Sequence, residues 1–388
     1  MLDPAQYNHV YLTSDVDQTS LDHIRAAVNT MDRPITIPFG GSTDELQEVK
    51  LAPKPILLHI DSPGGLVKSC ISIIKILLNA KTPVHTVVEG MAASSAALIL
   101  ACGQKRFAYP DSIVLIHQHR KTLHRHAPET VTHEDDLVEA EQGTALYELM
   151  KGFLSERTKM TPTLLQSLLS RDKFLSASEA KRLGLITHIL TVPALHPTPT
   201  KLITPRSIEA DNHVVIGDHT LESSSIVHKI HTINRFRNTS THWRGHIIGG
   251  TPQPIALQID SVRPYFYFVL PIVNAIQSSL VPITSFMEGQ CPEWDVIVSL
   301  VCHQRFLYYK STVQLDFRYT KMNESKAVDT VTNTKILQAF VRRIFATRTK
   351  WPKSDLHTLF ERAHVLSANR ALELGLCDGI VTDTPKGA

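Results

Sequence analysis

Short apolar runs alternate with longer amphipathic stretches through the first half of the chain. Val10-Tyr11-Leu12, Pro55–Ile60, Val84–Val88 and Ile113–Ile116 read as buried strands, since leucine and β-branched residues follow one another between turn formers. Leu21–Met31 has helical spacing with Thr19 or Ser20 available as a cap, and Leu66–Ala80 is apolar on most faces, as in a buried helix. Met91–Cys102 is small and apolar and suits a tightly packed helix. Val131–Arg157 is long and charged, with Leu146, Leu149, Met150 and Phe153 as its apolar stripe. Strands alternating with helices at these distances predict βαβ units and an α/β fold.

The pattern then recurs. PILLHIDS at Pro55–Ser62 returns as PIALQIDS at Pro254–Ser261, six of eight residues identical at an offset of 199. Glu89-Gly90 and Arg106-Phe107 return at the same offset, as Glu288-Gly289 and Arg305-Phe306. LSASEAKRLGL (Leu175–Leu185) returns as LSANRALELGL (Leu366–Leu376), seven of eleven identical at an offset of 191. The beginnings also match, NHVYLTSDVDQTS from Asn8 against NHVVIGDHTLESS from Asn212. Collinear matches at nearly constant offset predict two copies of one domain, residues 1–192 and 208–388, joined by a Pro-rich linker at 193–207.

Composition narrows the classes. Hydrophobic residues make up 43% and charged residues 20%, which excludes disordered, collagenous and disulfide-scaffold chains. A net charge of +3 gives no basic field for nucleic acid, and no stretch is long and apolar enough to predict a membrane span. The segment MLDPAQYNHVYL does not read as a signal peptide. Five scattered cysteines without CxxC spacing suit reduced, mostly buried thiols, so a cytoplasmic location is expected.

Two turns in the first copy carry candidate chemistry. Ser62-Pro63-Gly64-Gly65 ends a buried strand and opens a helix, and its glycines let a ligand approach backbone N–H groups. Gly90-Met91-Ala92-Ala93-Ser94-Ser95 sets a serine among small residues at a second strand end. Each turn alone reads as an ordinary strand-to-helix connection; together they pair a sterically open serine with backbone donors. A nucleophilic serine needs a base and an orienting carboxylate. His117, at the end of the Ile113–Ile116 strand, and Asp172, just before the Leu175 motif, are the candidates. His119, His124 and His126 lie among basic residues with no carboxylate or thiol to complete a ligand set, so no metal is expected there.

SPGG at Ser62–Gly65, GMAAS at Gly90–Ser94, IHQ at Ile116–Gln118 and RDKFLSASEA at Arg171–Ala180 resemble the proteolytic subunit of the Clp protease, the ClpP family. The resemblance spans about residues 8–190, with separations of 23 residues from Ser94 to His117 and 55 from there to Asp172. It implies a crotonase-like fold of stacked ββα repeats, with a long handle helix in each copy. It further implies peptide-bond hydrolysis through an acyl-enzyme, with no metal or nucleotide cofactor at the site: Ser94 as nucleophile, His117 as base, Asp172 as orienting acid. Gly65 and the amide of Ser95 match the oxyanion positions, and Gly64 and Gly65 the substrate-binding backbone. The implied substrates are peptides or unfolded polypeptides, and the implied partners are further copies of the chain in a ring or stacked assembly. An AAA+ unfoldase is the family's other partner, although only about nine residues precede Val10, where the family carries its axial apparatus.

The second copy departs from the pattern. Ser94 + 199 is Glu293, His117 + 199 is Asp316, Asp172 + 191 is Ala363, and Gly64-Gly65 + 199 is Arg263-Pro264. Proline has no N–H to donate, so neither the triad nor the oxyanion hole is expected there. Residues 208–388 read as a pseudoenzyme domain kept for assembly. The competing expectation is a non-catalytic structural or regulatory subunit that assembles with an active partner. A crotonase-type hydratase or isomerase would not need the Ser–His–Asp set, and a signal peptide peptidase A relative would use a Ser–Lys pair.

Overall fold

A computed structural model describes residues 6–39, 47–117, 148–169, 173–191, 212–216, 223–238, 241–243, 246–248, 254–260, 266–279, 281–319 and 330–382. The chain divides after Thr191 into two compact units, each with a mixed α/β build.

In the first unit, β1 (Asn8–Leu12), β4 (Ile56–Ser62), β5 (Val84–Ala93), β6 (Arg106–Ala108) and β9 (His188–Ile189) line up in that order as parallel neighbours. Strand β7 (Ile113–Ile116) pairs with the far end of β5, and β8 (Lys173–Ser176) runs antiparallel to β7. Helices α1 (Gln18–Met31), α2 (Val67–Asn79) and α3 (Ser95–Ala101) bury one face of the sheet. Val10, Leu12, Ile56, Leu58, Ile60, Val84 and Val88 meet Ile24, Val28, Ile73, Leu77 and the small residues of α3 there. The described part of the long helix, α4 over 148–157, is followed by α5 (Pro162–Leu169) and α6 (Ala177–Leu183). Residues 118–147, including His119, His124, His126 and the start of the expected handle helix, lie outside the described residues.

Two local expectations change. The Met91–Cys102 stretch is not one helix: Met91, Ala92 and Ala93 continue β5, pairing with Ile113, Val114 and Leu115, and the helix begins at Ser95. A neighbouring strand end fixed this, since small side chains suit either state. Helix α1 begins at Gln18 and is capped by Asp17, whose carboxylate accepts the Ser20 amide at 2.8 Å while the Ser20 hydroxyl accepts the Asp17 amide at 2.9 Å. The long connection before Pro55 contains an antiparallel hairpin, β2 (Ile35–Phe39) with β3 (Gln47–Leu51).

The second unit has the same strand order: β10 (His213–Ile216), β13 (Ile255–Ile259), β14 (Ile283–Met287), β16 (Gln304–Tyr308) and β19 (Gly379–Val381). A hairpin, β11 (Thr241–Trp243) with β12 (His246–Ile248), again precedes the second strand of the order. Between the strands run α7 (Ser223–Asn238), α8 (Phe266–Gln277) and α9 (Glu293–Leu300), followed later by the long α10 (Thr330–Arg348) and by α11 (Ala368–Glu373). A side sheet joins β15 (Gln290–Cys291), β17 (Thr312–Leu315) and β18 (His364–Ser367). Register agrees with the sequence offset. Ile56 pairs with Val84 and Ile255 with Ile283; Thr86 pairs with Arg106 and Ser285 with Arg305.

Each unit also carries the same arginine clamp. Arg106 donates to the carbonyls of Gly103 (3.0 Å), Gly184 (2.9 Å) and Arg157 (3.1 Å). Arg157 in turn donates to Ala101 (3.1 Å) and Cys102 (2.6 Å), carbonyls at the end of α3. In the second unit Arg305 donates to Gly375 (3.0 Å) and Arg348 (2.8 Å), and Arg348 to Leu300 and Cys302. Planar guanidinium forks satisfy several helix-end carbonyls at once, which fixes where the long helix meets the sheet.

All five cysteines are buried free thiols. Burial pushes the Cys102 and Cys302 thiols up to about 12, so they stay protonated and inert near neutral pH. Among the described residues no helix is long and apolar enough to cross a membrane, and no group of three or more His, Cys, Asp or Glu residues could hold a metal.

Candidate active site

Ser94 sits at the junction of β5 and α3 with φ 55° and ψ −121°, alone among the described non-glycine residues in having positive φ. Such a backbone costs a non-glycine residue about 1–3 kcal/mol and persists only where its surroundings impose it. The imposition is visible. The Ser94 N–H donates to the Leu115 carbonyl on β7 at 2.9 Å, and the Ser94 carbonyl accepts the Ala97 N–H at 3.0 Å, so the turn is held at both ends. Although Ser94 stands at the N-cap of α3, its hydroxyl makes no capping bond, and the side chain is half-exposed.

The glycine turn packs directly on this junction. Gly64 has φ +93°, and a Cβ on it would lie 2.5 Å from the Ala93 carbonyl oxygen, 2.8 Å from the Ser94 Cβ and 3.0 Å from the Ser95 nitrogen. No side chain fits, and only glycine adopts that backbone readily. Gly65 follows at φ +152°, its carbonyl accepting from the Ser95 hydroxyl at 3.3 Å. The Ser95 amide opens α3, and amides of a helix's first turn have no partner within the helix.

A displaced register brings the two turns together. β4 and β5 pair regularly to Ile60↔Val88, then resume at Ser62↔Ala92, so β5 carries two extra residues there. The Asp61 carboxylate bridges the irregularity, accepting the Met91 N–H at 3.0 Å. Sequence reading passed over Asp61, whose signal was no more than its position beside SPGG.

His117 follows β7 immediately and is half-buried. Because β7 pairs with the end of β5, with Ala93↔Leu115 the last pair, Ser94 and His117 lie one and two residues beyond that pair on adjacent strands. The β7–β8 ladder ends at Ile116↔Lys173; the next residues in sequence are His117 on one strand and Asp172 on the other. Asp172 itself lies outside the described residues.

The corresponding positions of the second unit differ in backbone as well as side chain. Glu293 opens α9 behind Pro292, which has φ −65° and ψ 170°, and no strained turn forms. Burial raises the Glu293 carboxyl above its ordinary value, with the nearby Asp316 charge adding to the effect and a backbone amide opposing it. Asp316 accepts a forked pair of bonds from Arg318, both at 2.8 Å, and those hold its carboxyl below the ordinary range. Ala363 is exposed, and Arg263 and Pro264 lie outside the described residues.

Comparison with known proteins finds relatives of the first part of the chain. A family model described as Clp protease matches residues 46–193. The ATP-dependent Clp protease proteolytic subunit 2 of Prochlorococcus marinus (strain NATL2A) is 36% identical over 144 residues, covering 36% of this chain and 69% of the relative. The ATP-dependent Clp protease proteolytic subunit of Cyanophora paradoxa is 38% identical over 138 residues, covering 35% of this chain and 68% of the relative. With the strained serine, the glycine turn packed on it and these relatives in hand, the chain belongs to the Clp protease family.

Proposed function

We propose that the chain is a serine endopeptidase with one active site, formed by Ser94, His117 and Asp172, and that its second unit is a duplicated copy of the first that retains the fold without the chemistry. The observation that carries this reading is the strained Ser94 turn, tied to Leu115 on the strand that leads to His117 and covered by Gly64.

In this mechanism the His117 imidazole takes the Ser94 hydroxyl proton as the oxygen attacks the peptide carbonyl, and Asp172 holds the ring's tautomer and stabilises the imidazolium. The oxyanion receives hydrogen bonds from the Gly65 and Ser95 amides, which cost no reorganisation because the turns are already packed together. His117 then protonates the leaving amine, and water enters by the same route in reverse to hydrolyse the acyl-enzyme. Substrate backbone runs along the Gly64-Gly65 turn, where Gly65 is exposed. Peptides and unfolded chains fit such backbone recognition.

The duplication is supported by the shared strand order, the equal register and the two arginine clamps. Loss of catalysis from the second unit is supported by Glu293 and Asp316 at the serine and histidine positions. The purified chain is expected to cleave a fluorogenic peptide, and Ser94→Ala to abolish cleavage. A folded chain without peptidase activity would favour the non-catalytic subunit instead. Self-association is part of the same reading, and a native mass at the single-chain value of 43.3 kDa would contradict it.

A further inference from the structure

The Gly64-Gly65 turn is held at three successive peptide groups, and besides the Ser95 hydroxyl on the Gly65 carbonyl one side chain takes part, that of Ser62. The Ser62 hydroxyl, 1% exposed in its residue, accepts the Gly64 N–H at 3.1 Å and donates to the Ser14 carbonyl at 2.6 Å. The Gly64 carbonyl accepts the Val16 N–H at 2.8 Å, and the Leu66 N–H donates to the Val16 carbonyl at 2.6 Å. The loop between β1 and α1 thus grips the turn from one side.

The geometry of a trans peptide makes this directional. The carbonyl of Gly64 and the N–H of Gly65 belong to one planar group and point in opposite directions. Fixing the Gly64 oxygen on Val16 therefore aims the Gly65 N–H away from the β1–α1 loop. The bonds to Val16 use the Gly64 carbonyl and the Leu66 amide, not the Gly65 amide. Ser62 fixes the preceding peptide plane and occupies the Gly64 N–H, the other amide of the turn.

Resting on the peptidase reading above, we infer that Ser62 is a positioning residue that selects Gly65 rather than Gly64 as the oxyanion donor and sets its direction. Without the hydroxyl the Pro63–Gly64 plane loses its anchor, the Gly64 N–H competes for the oxyanion, and the Gly65 N–H drifts from its aim. The effect belongs to the tetrahedral state and not to ground-state binding, so it falls on kcat.

The test uses the full-length chain with Ser62→Ala and Ser62→Thr, a fluorogenic peptide, and a peptide boronate that forms a tetrahedral adduct on the serine. Removing an oxyanion donor outright costs about 100- to 1000-fold; misaiming one is expected to cost Ser62→Ala about 10- to 100-fold in kcat. KM should stay within about 2-fold, and boronate affinity should fall in step with kcat/KM. Ser62→Thr keeps the hydroxyl and should lie within about 5-fold of the parent chain. Unchanged kcat in Ser62→Ala, a loss carried by KM with boronate affinity intact, or a threonine variant as impaired as alanine would each overturn the assignment. Fluorophosphonate labelling of the parent chain separates the two levels. An unlabelled parent overturns the peptidase reading and this inference with it; a labelled parent with an unimpaired Ser62→Ala overturns only the role of Ser62.

Discussion

The amide of Ser94 donates to the carbonyl of Leu115 at 2.9 Å, tying the Ser94 turn to the strand that leads to His117. The two groups that must exchange a proton in the proposed reaction are thereby borne on strand ends that cannot shift independently. The bond also helps hold Ser94 in a backbone region that serine would not choose.

That strain has a measurable cost. A φ of 55° with ψ of −121° suits glycine. Ser94→Gly is expected to abolish peptidase activity yet raise stability by about 1 kcal/mol, whereas Ser94→Ala abolishes activity without that gain. Chemical denaturation of the two variants side by side checks this.

Gly64→Ala tests the packing of the turns from the other side. The added methyl meets backbone and Ser94 at 2.5 to 3.0 Å. The expected result is a loss of about 1–3 kcal/mol in stability and more than about 100-fold in kcat/KM. The two losses are read by thermal melts and steady-state assays.

On the sheet in the first unit, the Glu89 carboxylate is 2% exposed and lies 2.5 Å from Nδ1 of His59, whose Nε2 is 2.8 Å from His9. Tyr11 stacks on the same imidazole with ring centroids 4.6 Å apart. Removing one partner of a buried hydrogen bond costs more than the bond itself contributes, so His59→Leu should cost about 1–3 kcal/mol, and adding Glu89→Gln should recover part of that. Denaturant titrations of the single and double variants measure the coupling.

Glu293 predicts a pH-dependent effect. Its folded-state carboxyl titrates above the ordinary value because burial penalises the charge, so the folded state favours the protonated acid. This contribution is present below the unfolded glutamate pKa of about 4.3 and is lost as pH rises through the folded value. Glu293→Gln should therefore stabilise the chain at neutral pH, with the gain fading in acid. Peptidase activity should be unchanged. Melting temperatures of parent and variant compared from about pH 3 to about pH 8 carry the signal.

The fold was legible in sequence wherever burial dictates pattern. The strand Ile113–Ile116 and the helix at Leu66–Ala80 are apolar enough to leave little choice, and the repeated PI-L-IDS run located the matching strands β4 and β13. Where side chains are small, the pattern failed: Met91-Ala92-Ala93 suits a helix until β7 pairs with it. The cap of α1 was displaced because Asp17 and Ser20 exchange hydrogen bonds, so the serine serves three residues inside the helix rather than at its start. At the site, residue types and spacing pointed to Ser94, His117 and Gly65. Backbone direction could not be read that way. The strain at Ser94, the bridge from Asp61 to Met91 and the grip of Ser62 and Val16 on the glycine turn arise from long-range hydrogen bonds with no sequence period.

Active-site titration with a fluorophosphonate, read by intact mass and peptide mapping, tests most directly whether this chain of two like units holds one working serine site. One adduct per chain, on Ser94, and none on folded Ser94→Ala is the predicted result. A folded parent chain that takes no label, or one labelled in its second unit, would contradict it.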